Sequence, residues 1–126
     1  MLTTTDAFSG FSVEDIDTAL AFYRDTLGLD ARVTEMGVIE FALGGAHVIA
    51  YPKPDHEPAG YTVLNFVVPD IDAAVDELEA AGVAMQRYPG MAQDERGVMR
   101  GRAVDRGPDI AWFTDPSGNI FAIIGE

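Results

Sequence analysis

Two nine-residue stretches decide the fold of this chain: FSVEDIDTA at Phe11–Ala19 and FVVPDIDAA at Phe66–Ala74. Aligned on their first residues, they share Phe, Val, Asp, Ile, Asp and Ala at the same places. Each copy begins as an apolar run typical of a strand, reaches an aspartate, and continues with apolar residues at helical spacing. Because internal repeats dictate architecture, we predict two strand–helix units in tandem.

The first unit is predicted to follow a β-α-β-β-β order. Asp15 or Asp17 can cap its helix, because an aspartate side chain accepts the unpaired backbone N–H groups of a first turn. Gly28 is placed to end that helix. The predicted elements are a strand at 7–13, this helix, and strands at 31–36, 38–43 and 46–51.

The second unit is predicted to repeat this order with longer loops. Asp70 is the expected helix cap and Gly82 the expected helix end. The run DPSG at 115–118 suits a type I turn, with Pro second and Gly fourth. The predicted elements are strands at 62–68 and 83–88 around the helix, a loop at 89–97, an extra strand or hairpin arm at 98–104, a turn at 105–109, and strands at 110–114 and 119–124.

A proline-rich connector separates the two units. The run PKPDHEPAG at 52–60 contains three prolines and ends in glycine, which disfavours regular structure. We place module one at 6–52, the connector at 53–60 and module two at 61–125. Neither half is large enough to bury a good core alone, so we predict a single domain, 1–126.

Composition and charge limit the possible functions. The chain has 126 residues, 48% of them hydrophobic, and no cysteine, which excludes disulfide frameworks and thiolate chemistry. Its net charge of -13 would repel nucleic acid and anionic membranes, so we expect neither as a partner. Met1–Phe8 shows no secretory signal and no apolar run could span a bilayer, so we expect a cytoplasmic protein.

Two short motifs accompany the repeat: AFYRDTLG at 21–28 and DPSGNI at 115–120. Together with the repeat, they resemble the vicinal oxygen chelate superfamily, which includes glyoxalase I, bleomycin-resistance proteins, extradiol dioxygenases and fosfomycin-resistance enzymes. The resemblance covers almost the whole chain. It implies an α+β fold in which two βαβββ modules form a curved, cup-like mixed sheet. The cup binds a small molecule and, in many members, a divalent metal, but the fold does not fix the chemistry.

The resemblance also implies four positions for metal ligands, on the first and last strands of each module. In this chain these positions are Phe8 and Val63 on the first strands, and Ile49 (or Val48, if the turn is shorter) and Ala122 on the last. Hydrocarbon side chains supply no atom that binds a metal. Moving the assigned positions by one residue does not help, because the neighbouring side chains point to the other face of the sheet. We therefore expect no metal or other cofactor, which puts glyoxalase, dioxygenase and fosfomycin-transferase activity in doubt.

Strand alternation predicts the rest of the cup. Its lining would be apolar with a few polar groups, as in most ligand pockets. The expected neighbours are Gly10 and Ser12 with Phe8, His47 and Tyr51 with Ile49, Asn65 and Val67 with Val63, and Ile120 and Ile124 with Ala122.

The polar residues of the cup have structural as well as functional interpretations. His47 is the best catalytic candidate, since histidine suits proton transfer near neutral pH; the alternative, which the sequence slightly favours, is that it only satisfies a buried hydrogen bond. Tyr51 is a second candidate, or a residue of the rim. Asn65 needs a hydrogen-bond partner, which can be ligand or backbone. His56, in the connector, is expected to be solvated.

The stretch 87–106 holds five of the eight basic residues. Arg100 and Arg102 would share a strand face there and could clamp an anionic group, because the arginine fork matches carboxylates and phosphates. The alternative is an arm whose arginines pair with nearby carboxylates, including Asp94 and Asp109. Trp112 is expected in the sheet, where one face could stack on an aromatic ligand.

Three functions remain open from the sequence. The first is a metal-free protein of the bleomycin-resistance type that binds an apolar or aromatic compound. The second is a metal-independent lyase or isomerase that uses His47 for proton transfer. The third is a metal-dependent enzyme with displaced ligands. By analogy with the superfamily, and because open sheet edges need covering, we also expect a homodimer.

Overall fold

The computed structural model describes all 126 residues and divides the chain into two compact units, Met1–Pro58 and Ala59–Glu126. Each unit contains a four-stranded mixed sheet and one main helix, in the predicted β-α-β-β-β order. The α+β class and the tandem βαβββ modules are therefore confirmed. None of the helices has the length and apolar character needed to cross a membrane.

Module one begins with the first copy of the repeat. Asp15 caps the helix, because its carboxylate accepts the Thr18 N–H at 2.9 Å. Gly28 follows the helix with a φ of 70°, a left-handed value that favours glycine. Its elements are β1 (Ser9–Val13), α1 (Ile16–Ala21) continued by a π-helical segment (Phe22–Thr26), β2 (Ala31–Val33), β3 (Ile39–Leu43) and β4 (Ala46–Pro52).

The sheet of module one buries one face only. Its strand order is β1-β4-β3-β2, with β1 parallel to β4 and the other pairs antiparallel. Tyr23, fully buried, lies with its ring centroid 5.0 Å from that of Phe41 and 6.4 Å from that of Phe11. Alternate residues of β1, β3 and β4 thus form a core with the helix, and the residues between them point to the other face.

Module two repeats this arrangement with the order β5-β8-β7-β6, and β5 is parallel to β8. Asp70 caps the helix by accepting the N–H groups of Asp72 and Ala73 at 3.0 and 3.2 Å. Its core includes an edge-on pair of Phe113 and Phe121. Its elements are β5 (Thr62–Val68), α2 (Ile71–Ala80), β6 (Met99–Arg100), a 3-10 turn (Arg102–Val104), β7 (Asp109–Thr114) and β8 (Ile120–Gly125).

The predicted strand at 83–88 is wrong. This segment touches the sheet through one backbone bond, from the Gln86 N–H to the Trp112 carbonyl at 2.7 Å. The side chain of Gln93 bonds two further backbone groups of the segment, accepting from the Tyr88 N–H and donating to the Gln86 carbonyl. Hydrogen bonds to a side-chain amide thus take the place of hydrogen bonds to a neighbouring strand. Strand propensities carry no information about such bonds.

The predicted strand or arm at 98–104 is also too long. Only Met99–Arg100 pairs with β7, and the chain then turns at Gly101 into the 3-10 turn. A β-carbon at Gly101 would lie 2.5 Å from the Pro108 carbonyl oxygen, so the loop closes tightly on this glycine. Arg100 and Arg102 therefore do not share a strand face, contrary to the prediction.

The DPSG turn forms as predicted. The Gly118 N–H donates to the Asp115 carbonyl at 3.0 Å. The buried carboxylate of Asp115 also accepts the N–H groups of Ser117 and Asn119 at 2.9 and 2.8 Å, and the Asn119 side-chain amide at 3.0 Å. This network fixes Asn119, the residue immediately before β8.

Candidate functional site

The face of the first sheet that carries no helix brings several candidate residues together. Gly10 is the register partner of Ile49, and Ser12 that of Tyr51, in the parallel pair of β1 and β4. The Phe8 ring lies 5.1 Å from the His47 ring. We call this surface the open face of module one. Because β1 and β4 are parallel neighbours, the first and last strands of the module place their alternate side chains side by side.

An open pocket of about 640 Å3 lies on this face. Phe8, His47 and Ile49 line it, together with Arg32 and Glu40, whose side chains form an ion pair of 3.2 Å. Residues 33–36 and 38 complete its wall. We call it the His47 pocket.

Sequence reasoning missed Arg32 and Glu40. Glu40 is the register partner of both Ile49 and Arg32, so strand pairing alone carries the signal. Strand alternation predicts cup residues here only on the first and last strands of each module, where the family's ligand positions lie, whereas Arg32 and Glu40 lie on β2 and β3. With this pair added, the pocket combines aromatic and aliphatic walls with a histidine and a carboxylate.

The other end of the open face is separate from the pocket. The Ser12 hydroxyl and the Nδ1 atom of His56 are 2.6 Å apart and joined by a hydrogen bond. His56 is therefore half-buried rather than solvated, contrary to the sequence prediction, because the connector folds back onto β1. Tyr51 lies next to Ser12 in the sheet and is 40% exposed. Neither Ser12 nor Tyr51 lines the His47 pocket.

The corresponding face of module two carries a second group of candidates. Asn65 and Trp112 flank Ala122 on neighbouring strands. Trp112 and Ala122 are buried, whereas Asn65 is exposed and Val67 is 67% exposed. Val63 lies where the register of β5 with β8 shifts, between Thr62 and Leu64. The strict alternation used to connect Val63 with Asn65 is interrupted there.

Tyr88 is a further polar residue that the sequence analysis passed over. Its ring packs edge-on against Trp112, with centroids 5.8 Å apart. Its hydroxyl is buried and has no hydrogen-bond partner in the chain. Burial raises the pKa of this phenol above its ordinary value, so the group stays protonated and is a donor without an acceptor.

Arg100 and Arg102 both bind groups of the protein. Arg100 donates to both carboxylate oxygens of Asp72, at 2.7 and 3.1 Å, and to Asp94 at 2.9 Å. Its bond to Asp72 holds the pKa of that carboxyl below its usual value. Arg102 donates to the Gly125 carbonyl at 3.2 Å. Arg100 therefore pairs with carboxylates of the protein, as in the second interpretation of the 87–106 stretch, rather than standing free to clamp an anion.

The donor set does not fit the divalent metal that the fold family implies. Phe8, Ile49, Val63 and Ala122 have no oxygen, nitrogen or sulfur atom in their side chains. Nowhere among the 126 residues do three or more His, Asp or Glu side chains form a group that could hold a metal ion. The convergence of these four positions on one cup stays a prediction.

Comparison with known proteins gives a consistent result. Residues 7–123 match the model of the Glyoxalase/Bleomycin resistance protein/Dioxygenase superfamily. An uncharacterized protein of Mycolicibacterium smegmatis is 34% identical over 90 residues, which cover 70% of this chain and 77% of that protein. The crystal structure of a member of the same superfamily from Sphaerobacter thermophilus has a TM-score of 0.69 and 26% identity, covering 99% of this chain and 100% of that one.

One solved structure whose name states a function also shares the fold. The genomically encoded fosfomycin resistance protein FosX from Listeria monocytogenes has a TM-score of 0.67 and 14% identity, with 99% of this chain and 95% of that chain covered. At this identity the likeness shows the fold alone. The family match, by contrast, includes both copies of the repeat and both short motifs. This chain therefore belongs to the Glyoxalase/Bleomycin resistance protein/Dioxygenase superfamily.

Proposed function

We propose that this protein binds a small apolar or aromatic compound without a metal, and that the His47 pocket supplies a principal part of the binding surface. The observation that carries the proposal is that Phe8, His47 and Ile49 line one pocket of about 640 Å3. Pockets of about 300–1,000 Å3 with apolar walls and few polar groups are typical of small-molecule sites. The family's metal positions in this module carry an aromatic ring and an aliphatic chain instead.

The walls favour an aromatic ligand. Phe8 is 61% exposed, so its ring can pack against a planar compound. His47 is exposed and lies beside that ring, where it can donate or accept one hydrogen bond to the ligand. Arg32 and Glu40 already pair with each other and so add polarity at the wall without a net charge.

A metal-independent lyase or isomerase is the second candidate. The observation in its favour is that a histidine and a carboxylate, His47 and Glu40, line the same pocket. Such a pair can exchange a proton with a bound substrate when both reach it. Binding alone needs no such pair. The two functions are therefore distinguished by whether the bound compound is chemically changed.

The test begins with a thermal-shift screen of aromatic and aliphatic compounds on the full chain. A compound that raises the melting temperature is then incubated with the protein and analysed by mass spectrometry. Recovery of the unchanged compound supports the binder. Turnover that disappears in His47→Ala, and persists in a His56→Ala control that removes the chain's other histidine, supports the enzyme.

The absence of a metal is part of the proposal and has its own measurement. Elemental analysis of the purified protein is expected to find no stoichiometric transition metal. A bound metal at one equivalent per chain would refute the metal-free proposal and favour the enzyme with displaced ligands.

We also propose that the chain forms a homodimer. Tyr61, just before β5, is 71% exposed, and Val67, within β5, is 67% exposed, so this strand offers apolar surface that a second copy could cover. Light scattering at micromolar concentration is expected to give twice the monomer mass, and Val67→Glu to reduce it. A monomer for the unmodified chain at that concentration would contradict the proposal.

A further inference from the structure

A second open pocket lies in module two, between the loop that precedes β6 and the loop that follows it. Its volume is about 560 Å3 and its walls are mostly apolar. Val104, on its rim, is 64% exposed and so belongs to no core. We call it the β6 pocket; its apolar lining residues are Ala92, Val98, Met99, Ala103 and Val104.

Two of the three charged residues of the β6 pocket are already paired. Asp94 and Arg100 form an ion pair of 2.9 Å. Arg100 also binds Asp72, and Asp94 also accepts the backbone N–H groups of Arg96 and Val98, each at 2.9 Å. These two side chains stabilise the wall and have little capacity left for a ligand.

Arg106 is the third charged residue, and its guanidinium makes no hydrogen bond or ion pair anywhere in the chain. The other arginines of the 87–106 stretch are all engaged. Arg87 donates to the carbonyls of Asp94 and Glu95, Arg96 to carboxylates of α2, Arg100 to Asp72 and Asp94, and Arg102 to the Gly125 carbonyl.

The backbone that carries Arg106 is held in place. The Arg106 N–H donates to the Gly101 carbonyl at 2.8 Å, and the Arg102 N–H donates to the Asp109 carboxylate at 3.2 Å. Asp105, the residue before Arg106, has a left-handed φ of 55°, which turns the chain sharply. The loop therefore fixes the base of this arginine beside the pocket, while its head group stays available.

We propose that the β6 pocket binds a small organic carboxylate, with its hydrocarbon part against Met99, Ala103 and Val104 and its carboxylate on Arg106. An unpaired guanidinium offers two parallel N–H donors to a carboxylate. In a chain of net charge -13, an anion gains from an unpaired cation and is repelled by most other surfaces. This site goes beyond the proposed function and shares no residue with the His47 pocket.

Octanoate is the probe, with octan-1-ol and octylammonium as matched probes that keep the hydrocarbon part and change the head group. Each is titrated into the 15N-labelled full chain and followed by amide chemical shifts. Octanoate is expected to shift the amides of Gly101, Val104 and Arg106, and to bind about fivefold or more tightly than either matched probe, as expected for a charge-assisted bond.

Two variants test the assignment. Arg106→Gln is expected to weaken octanoate binding about tenfold, while Lys53→Gln, which changes the net charge equally in the connector, leaves it unchanged. Ala103→Phe, which fills the pocket, is expected to abolish the shifts. Equal losses in Arg106→Gln and Lys53→Gln, equal binding of the three probes, or no binding of octanoate would overturn the proposal. Shifts confined to Phe8 and His47 would overturn it as well, and would leave the His47 pocket supported.

Discussion

Arg100 binds Asp72 through two hydrogen bonds, from Nη2 to Oδ1 at 2.7 Å and from Nη1 to Oδ2 at 3.1 Å. Asp72 lies in the first turn of α2 and Arg100 in the two-residue strand β6. Arg100 also binds Asp94, and Arg96 binds Asp76 and Glu79 further along the helix. This ion network fixes a short, weakly paired strand to the helix of its own module.

We expect Asp72→Asn to lower the free energy of unfolding by about 1 kcal/mol, the upper range for exposed ion pairs, because this carboxylate binds Arg100 and also lies 3.5 Å from the Arg96 guanidinium. Urea denaturation at pH 7 measures the change. Asp55→Asn is the control, since Asp55 is 83% exposed and pairs only with Lys53. An effect of Asp72→Asn no larger than that of the control would show that the network does not stabilise the fold.

The same network predicts a dependence of stability on pH. The Arg100 bond lowers the pKa of Asp72 below its ordinary 3.8. For Asp94, burial opposes ionisation, but bonds from the Val98 N–H, Arg100 and the Arg96 N–H outweigh it and the pKa is also lowered. A lowered folded pKa gives stability that is complete above the unfolded pKa and is lost as the pH falls through the folded pKa. The free energy of unfolding should therefore fall with pH below about pH 4 in the unmodified chain. The fall should be smaller in Asp72→Asn, which lacks one of the two carboxylates.

Tyr88→Phe is expected to stabilise the protein. The buried Tyr88 hydroxyl has no partner, and an unsatisfied buried donor costs about 1–3 kcal/mol, whereas phenylalanine keeps the edge-on contact with Trp112. Thermal denaturation should show a rise of a few degrees in melting temperature. A fall would mean that the hydroxyl bonds a water molecule that the fold depends on.

Asp115→Ala is expected to destabilise the protein by about 3 kcal/mol, because it leaves the Asn119 N–H and amide buried without this acceptor. Asp115→Asn keeps one acceptor oxygen and should cost less. Denaturation curves of both variants give the comparison. If both variants lose the same free energy of unfolding, the destabilisation comes from the turn geometry rather than from these hydrogen bonds.

Gly101→Ala should cost about 2 kcal/mol or more, since its β-carbon would lie 2.5 Å from the Pro108 oxygen and 2.8 Å from the Gly107 oxygen. Gly45→Ala is the matched control, because a β-carbon there meets nothing within 4 Å and its φ is not left-handed. Both are measured by chemical denaturation. A cost for Gly101→Ala as small as that for Gly45→Ala would contradict the tight closure of the 101–108 loop.

The sequence predicted those parts of the fold that local patterns encode. The repeat predicted the element order, and Asp15, Asp70 and Gly28 marked the helix ends, because caps and left-handed glycines act within a few residues of the chain. Strand alternation likewise grouped His47 with Ile49, since pairing with β1 preserves the period of two.

The rest depends on contacts between residues far apart in the sequence. Gln93 replaces a strand at 83–88 by bonding the backbone from across a loop, and no propensity reports such a bond. The bond between His56 and Ser12 spans 44 positions. The separate roles of Arg100 and Arg106 follow from which carboxylates come within reach, and only the folded chain decides that.

The parallel pairing of first and last strands in each module has an evolutionary consequence. It lets two neighbouring strands present a pair of side chains outside the core, as Ser12 and Tyr51 do here. Such positions can exchange a histidine or glutamate for a hydrocarbon, or the reverse, in one or two mutations while packing against the helix is untouched. A lineage built on this module can therefore lose one chemistry and acquire another without passing through an unfolded intermediate sequence.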